Sequence, residues 1–321
     1  MSKTSPYLSF IQEELKKINI SDTPSNLYDP IRYFLDMEGK KIRPILTLLS
    51  AELFGGTIEQ AKHAALAIEI FHNFTLIHDD IMDEAPIRRG VPTVHNKWNN
   101  NIAILSGDVM FVKAYEQLSL CNPNFLPQLL KVFNKTAIEV CEGQQMDMDF
   151  ENQESISQDA YIKMIRLKTS VLLGCALEMG AIICGASAKN KKLIYDFGVN
   201  IGIAFQIQDD LLDLYGDIKK VGKQTGGDVL ANKNTLLSIL AEMNSSDEQR
   251  SELKRLKNEK DARSKIEGVK SIFDDLDIKS KCSEVMQSYY EKALKSFADI
   301  DTKNKNSALL ELSNALMNRD F

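Results

Sequence analysis

Three features predict an all-α protein. Apolar residues recur with helical period over long stretches, breakers are sparse, and no run alternates with period two for long enough to make a central strand. The 321 residues contain only 8 prolines and 16 glycines, and the periodic segments between them are too long and too apolar to form separate small domains. A single helical domain over residues 1–321 is therefore expected. Hydrophobic residues make up 44% of the chain and charged residues 26%, the balance of an ordinary globular protein.

In order, residues 6–18 read as a first helix and 27–37 as a second, stopping at Glu38-Gly39. Residues 43–53 follow, with Pro44 suited to a first turn and Gly55-Gly56 as the stop. Residues 57–82 form a long helix ending in an acidic cluster. Residues 101–121 form the next, ended near Pro123, and 125–148 carry Gly143-Gln144-Gln145-Met146-Asp147. Residues 157–186 read as one helix, apolar after its first turns, that includes Lys168-Thr169-Ser170. Residues 189–215 end in a second acidic cluster. From 243 to 268 the composition turns charged and predicts short surface helices and loops, and 283–317 resume an amphipathic pattern.

A formal net charge of -6 argues against nucleic acid as the main partner. The 5 cysteines (Cys121, Cys141, Cys175, Cys184, Cys282) make no CxxC pair and no metal-ligand spacing, so they read as reduced residues of a cytoplasmic protein. The first residues lead into a polar amphipathic stretch, not an apolar signal core. The longest apolar run, 171–188, is broken by Glu178 and rich in Gly and Ala, which predicts a buried helix and no membrane span.

Asp79, Asp80 and Asp83 fall within one turn at the end of the 57–82 helix, and Asp209, Asp210 and Asp213 repeat the DDxxD spacing after another apolar helix. One such cluster is as readily a solvated acidic end. Its return points to two helices facing each other across a cavity, with metal ions between mutually repelling carboxylates. Ligands made only of oxygen suit Mg²⁺, which keeps waters and bridges carboxylates to substrate phosphates. The cations agree: Gly39-Lys40-Lys41-Ile42-Arg43-Pro44 places positive charge at a helix start, and Arg88-Arg89 can clamp a diphosphate bidentately. Lys223 and Lys233 add charge that taken singly is ordinary surface, whereas Lys168 stands in an apolar helix. A nucleotide is the competing phosphate ligand, but Gly216 to Gly222-Lys223-Gln224 has the wrong glycine spacing and no Ser/Thr after the lysine. His72 lies two turns before Asp79 and is placed to hydrogen-bond a diphosphate, while His63, His78 and His95 read as structural. No Ser or Cys nucleophile has a recognisable partner.

Taken together, GKKIRP (39–44), HDDIMD with RRG (78–90), LSGD (105–108), GQxxD (143–147), KTS (168–170), FQIQDDLLD (205–213) and GK (222–223) resemble, in order, the trans-isoprenyl diphosphate synthases. The resemblance spans about 39–235. It implies the isoprenoid synthase-like fold, an all-α bundle around a deep central cavity, usually as a homodimer. It implies head-to-tail joining of isopentenyl diphosphate to an allylic diphosphate (dimethylallyl, geranyl or farnesyl). By the same resemblance a cluster of three Mg²⁺ ions sits on Asp79, Asp80, Asp83, Asp209, Asp210 and Asp213. The allylic diphosphate meets Arg88, Lys168, Thr169, Gln206, Lys223 and Lys233, with Lys168, Thr169 and Gln206 as the catalytic group beside the reacting carbons. Isopentenyl diphosphate meets Lys40, Arg43, His72 and Arg89. Spacing around Lys233 varies in that family. No side chain is an obvious base, so the released diphosphate is the expected acceptor of the final proton.

Product length is read from the same helix, because a turn rises about 5.4 Å, near the length of one isoprene unit. Phe74 resembles the bulky floor of short-chain members, with Phe71 deeper and Thr75 smaller than the second aromatic of animal-type farnesyl synthases. Plain core packing explains the same rings. DDIMD lacks the insertion typical of bacterial farnesyl synthases. Geranylgeranyl diphosphate is the expected product and farnesyl diphosphate the next. Two rival readings are a class I terpene cyclase and a non-catalytic subunit that regulates another synthase. The first normally carries one DDxxD and needs no isopentenyl site; the second typically lacks aspartates from one cluster, and none is missing here.

Overall fold

The computed structural model describes residues 4–151, 153–216, 226–302 and 307–317, and its contacts divide the chain into two units. The first comprises Met1–Lys135, Cys175–Tyr195 and Ile300–Leu310; the second comprises Thr136–Gly174, Asp196–Asp299 and Glu311–Phe321.

The first unit holds α1 (Ser5–Lys16), α2 (Ser25–Leu35), α3 (Ile42–Leu53), α4 (Ile58–Met82), α5 (Val94–Lys97), α6 (Asn100–Ser119) and the start of α7 (Leu126–Glu151). Its spine is α4, which packs against α3 and α6. A capping box starts this helix: Thr57 accepts from the Gln60 backbone N–H, and Gln60 Oε1 accepts from the Thr57 N–H at 2.9 Å. Ala61, Ala64, Ala65 and Ala67 are fully buried along its first half, so neighbouring backbones approach closely there. Ile68, Ile70, Phe71 and Ile77 fill the second half, each worth about 1.5–3 kcal/mol of burial. The helix thus ends in solvent with its acidic turn anchored by a rigid apolar body.

The only strands among the described residues are two of two residues each, β1 (Ile87–Arg88) and β2 (Val91–Pro92), paired antiparallel. Arg89 and Gly90 join them with φ of 53° and 80°, the left-handed pair that a tight hairpin turn demands. The all-α expectation therefore stands, with this hairpin as its one exception.

The second unit contains the rest of α7 with α8 (Gln158–Ile165), most of α10 (Ala188–Tyr215), and α11 (Gly227–Leu230). Then come α12 (Leu236–Asn244), α13 (Asp247–Lys257), α14 (Ala262–Asp275), α15 (Ile278–Ala298) and part of α16 (Ser307–Met317). The single helix expected over 157–186 is interrupted. Between α8 and α9 (Val171–Ile183), Arg166–Ser170 form one π-turn. The cause is close packing of backbones: a Cβ at Gly143 of α7 would lie 2.2 Å from the Lys168 nitrogen, and one at Gly202 of α10 would lie 2.7 Å from the Ser170 Cα. The extra residue of a π-turn re-aims the side chains it carries, and it coincides here with Lys168-Thr169-Ser170. The charged stretch 243–268 resolves into α13 and α14, each started by its own cap, Ser246 with Gln249 and Asp261 with Ser264.

Candidate active site

Asp79, Asp80 and Asp83 occupy the C-terminal turn of α4, with Asp83 as its cap residue. A helix C-terminus carries partial negative charge, so this is the least favourable place on a helix for carboxylates. The structure treats the three differently. Asp80 is 1% exposed, and Arg88 Nε donates to both of its oxygens at 2.8 Å while Nη2 lies 2.7 Å from Oδ1. Burial nevertheless lifts the Asp80 carboxyl above its ordinary range, against the pull of Arg88. Asp79 keeps 21% of its side chain in solvent with Arg88 Nη2 3.9 Å away, and Asp83 is exposed.

Two turns and less before that end, α4 carries a different chemistry. Arg43 Nη1 donates to His72 Nε2 at 3.0 Å. A guanidinium only donates, so His72 must accept through Nε2 and is neutral. Burial first, and then Arg43, Arg89, Arg88 and Lys41, hold its imidazole well below the usual histidine range. Burial also pushes Arg43 down to about 10, with Arg89 adding to the effect and Glu69 opposing it. The Arg89 guanidinium lies so near Gly39 that a Cβ there would stand 3.0 Å from Cζ. Arg43, His72 and Arg89 therefore share one local field. Lys40, the fourth predicted member, is exposed, whereas Lys41 is buried beside Glu69.

In the second unit, Asp209 is partly exposed and Asp210 buried. Tyr161 donates a short hydrogen bond to Asp210 Oδ2, Gln206 Nε2 reaches Oδ1 at 3.5 Å, and the Leu236 N–H reaches Oδ2 at 3.5 Å. Burial raises the Asp210 carboxyl to about 7. Asp213 accepts the Asp228 N–H at 3.0 Å on its side chain and the Gly226 N–H at 2.6 Å on its carbonyl, so it fastens the start of α11. On the π-turn, Lys168 Nζ meets Asp147 Oδ2 at 2.6 Å, and Thr169 Oγ1 lies 3.4 Å from Gln206 Oε1. Lys233 is exposed, 4.0 Å from Asp228, on the wall of a cavity of about 550 Å³ shared with Arg250, Lys254 and Phe273. Lys223 lies outside the described residues.

The predicted floor is part of an aromatic wall in the first unit. Phe74 stacks on Phe111 at 4.9 Å with an 11° interplanar angle. Phe71, 1% exposed, touches Phe74 at 5.6 Å and Phe133 at 5.1 Å, and Thr75 Oγ1 is turned to the His72 carbonyl at 2.8 Å. Spacing upstream of Asp79 signals Phe74 but not Phe111, which comes from α6.

Among the described residues no three His, Cys, Asp or Glu side chains converge as a ready-made metal site. Carboxylates without a cation between them repel, and here Asp80 and Asp210 are already taken up by Arg88 and Tyr161. Asp213, part-exposed as well, accepts the Asp228 N–H; Asp79, Asp83 and Asp209 are the other cluster members that reach solvent. All three offer hard oxygen donors, which fit Mg²⁺. Sequence reasoning missed Tyr161, Asp228 and the Lys41–Glu69 pair. The one available signal was Glu69, a lone carboxylate inside the apolar run before Asp79.

The family described as Polyprenyl synthetase matches residues 24–276. A geranylgeranyl pyrophosphate synthase of Geoglobus acetivorans is 38% identical over 313 residues, covering 97% of this chain and 96% of its own. A geranylfarnesyl diphosphate synthase of Natronomonas pharaonis is 38% identical over 236 residues, 68% of this chain and 69% of its own. A crystal structure of a geranylgeranyl pyrophosphate synthase is 44% identical, covers 100% of both chains and superposes with a TM-score of 0.93.

Proposed function

The chain belongs to the polyprenyl synthetase family and is a short-chain trans-prenyltransferase; we propose that it condenses isopentenyl diphosphate head to tail with dimethylallyl, geranyl and farnesyl diphosphates and releases geranylgeranyl diphosphate. One observation carries this reading. The carboxylate cluster at the end of α4, suited to a metal-bound diphosphate, lies about two turns from His72 of the same helix, which with Arg43 of α3 and Arg89 of the hairpin forms a metal-free group suited to a second diphosphate. A cyclase binds one diphosphate and has no use for the second group.

In this reading Asp79, Asp83 and Asp209 hold Mg²⁺, three ions in the full complement, and Asp80, Asp210 and Asp213 set the carboxylates and the α11 turn from behind. The metal supplies charge compensation for the departing diphosphate. Arg88, Lys168, Lys233 and Lys223 bind that diphosphate and stabilise its charge as the C–O bond breaks. Thr169 and Gln206 border the reacting carbons, which apolar surroundings protect from water. Lys40, Arg43, His72 and Arg89 hold isopentenyl diphosphate. His72 stays neutral and donates through Nδ1–H, and the released diphosphate accepts the final proton. One synthase domain acts as a homodimer in the cytoplasm. Ile104, Leu105 and Val112 support the dimer, lying 42%, 57% and 67% exposed on α6. None of the five cysteines is in a disulfide, which supports a reducing compartment. No helix among the described residues is long and apolar enough to cross a membrane.

Mass spectrometry of products formed from dimethylallyl and isopentenyl diphosphates tests the reading: a twenty-carbon diphosphate is expected. Diphosphate released without isopentenyl diphosphate would instead indicate a cyclase, and none released with both substrates a regulatory subunit. Phe74→Ala removes the ring stacked on Phe111 and should add about one or two isoprene units, since each matches roughly one 5.4 Å turn. An unchanged product assigns Phe74 to core packing alone.

A further inference from the structure

We propose that Glu69 is the positioning residue of the metal-free diphosphate group, holding Lys41, Arg43 and Arg89 together before any substrate arrives. The inference rests on the reading above that Arg43, His72 and Arg89 receive isopentenyl diphosphate.

Glu69 sits on α4 one turn before His72 and is 1% exposed. Its Oε1 lies 2.9 Å from Lys41 Nζ and accepts from Asn73 Nδ2 at 3.0 Å. Lys41, just before α3, meets it directly, Asn73 of α4 donates to it, and its charge acts on Arg43 of α3, which is bonded to His72, and on Arg89 of the hairpin. His72 and Asn73 are neutral, so several cations surround one carboxylate. Buried like charges disfavour one another's charged forms, and a diphosphate relieves that only once bound. Before then Glu69 is the counter-charge, and it acts on Arg43 and Arg89 in the same direction, favouring the protonated guanidinium.

Backbone geometry points the same way. Lys41 and Arg89 both have left-handed φ, 45° and 53°, which costs a residue that carries a Cβ. At Arg89 the hairpin turn sets that φ; at Lys41, whose ammonium lies 2.9 Å from Glu69, the buried ion pair offsets it. Its burial also keeps Glu69 beneath the cations instead of on the side that meets the ligand.

Glu69→Gln keeps the side chain's shape and its contact with Asn73 while removing the charge. The KM for isopentenyl diphosphate is expected to rise about tenfold or more, with kcat and the allylic KM within about threefold of wild type. Glu69→Asp should recover part of the loss. Arg43→Ala separates this inference from the reading beneath it. If Arg43→Ala leaves the isopentenyl KM unchanged, the assignment of the group to isopentenyl diphosphate fails. If it raises that KM while Glu69→Gln does not, Glu69 is not the positioning residue.

Glu69→Gln also strands Lys41, so the Lys41→Met/Glu69→Leu pair, which removes both charges, guards against a variant that fails to fold. A folded double variant should still show an isopentenyl KM raised about fivefold, since Arg43 and Arg89 have lost their counter-charge. A wild-type KM in that variant would make Glu69 a partner of Lys41 alone and overturn the proposal.

Discussion

Replacing Asp79 by Ala lowers kcat for prenyl transfer by about 10³-fold, roughly 4 kcal/mol of transition-state stabilisation, while the protein stays folded. Both halves follow from its place on α4. The side chain is 21% exposed, stands at the negative end of the helix dipole and adjoins Asp80, so its charge is unfavourable to the fold. Removing it relieves repulsion, and the melting temperature should hold or rise slightly. What is lost is the proposed oxygen donor for Mg²⁺ on the allylic diphosphate. Diphosphate release, followed with wild-type and variant enzyme over a Mg²⁺ titration, checks the point. Activity above about a tenth of wild type would remove Asp79 from the metal set. Asp80→Ala should behave differently, because it leaves the part-buried Arg88 without its bidentate partner and so costs stability as well.

That contrast shows what spacing alone conveys. Asp79 and Asp80 are adjacent in DDxxD, and only the hairpin that returns Arg88 to α4 separates the carboxylate that turns inward from the one left in solvent. The same holds for Asp210, whose partner Tyr161 comes from another helix. Helices were legible wherever apolar period, caps and breakers agree, as in α3 with Pro44 near its start and Gly55 past its end, or α4 with its Thr57 box. The π-turn was not legible, because Arg166–Ser170 is locally a good helix and the distortion comes from two glycines on other helices. Lys40 and Lys41 are indistinguishable as a dipeptide. The left-handed φ at Lys41 buries the second beside Glu69 and leaves the first in solvent. The general rule is that local patterns find the elements and the reactive residue types, while the pairing of charges is a tertiary matter.

Gly143→Ala should be the most damaging one-methyl change in the second unit. In an ordinary helix interior this substitution stabilises by about 1 kcal/mol. Here the added Cβ would lie 2.2 Å from the Lys168 nitrogen and 2.6 Å from the Leu167 carbonyl carbon, both main-chain atoms that no rotamer change can move. Either α7 withdraws or the π-turn reverts, and each route disturbs the 2.6 Å contact between Lys168 and Asp147. Overpacking of this kind costs about 3 kcal/mol, which outweighs the propensity gain. The apparent melting temperature should fall by about 4–8 °C, given roughly 2–4 °C per kcal/mol in chains of this size. Folded enzyme should also bind the allylic substrate more weakly, because Lys168 is one of its proposed diphosphate ligands. Gly202→Ala meets Ser170 at 2.7 Å and should follow the same course to a smaller extent. Thermal melts and allylic KM values for the two variants decide the matter. A Gly143→Ala protein as stable and active as wild type would mean that close packing against Gly143 is not what holds the Lys168 turn in place.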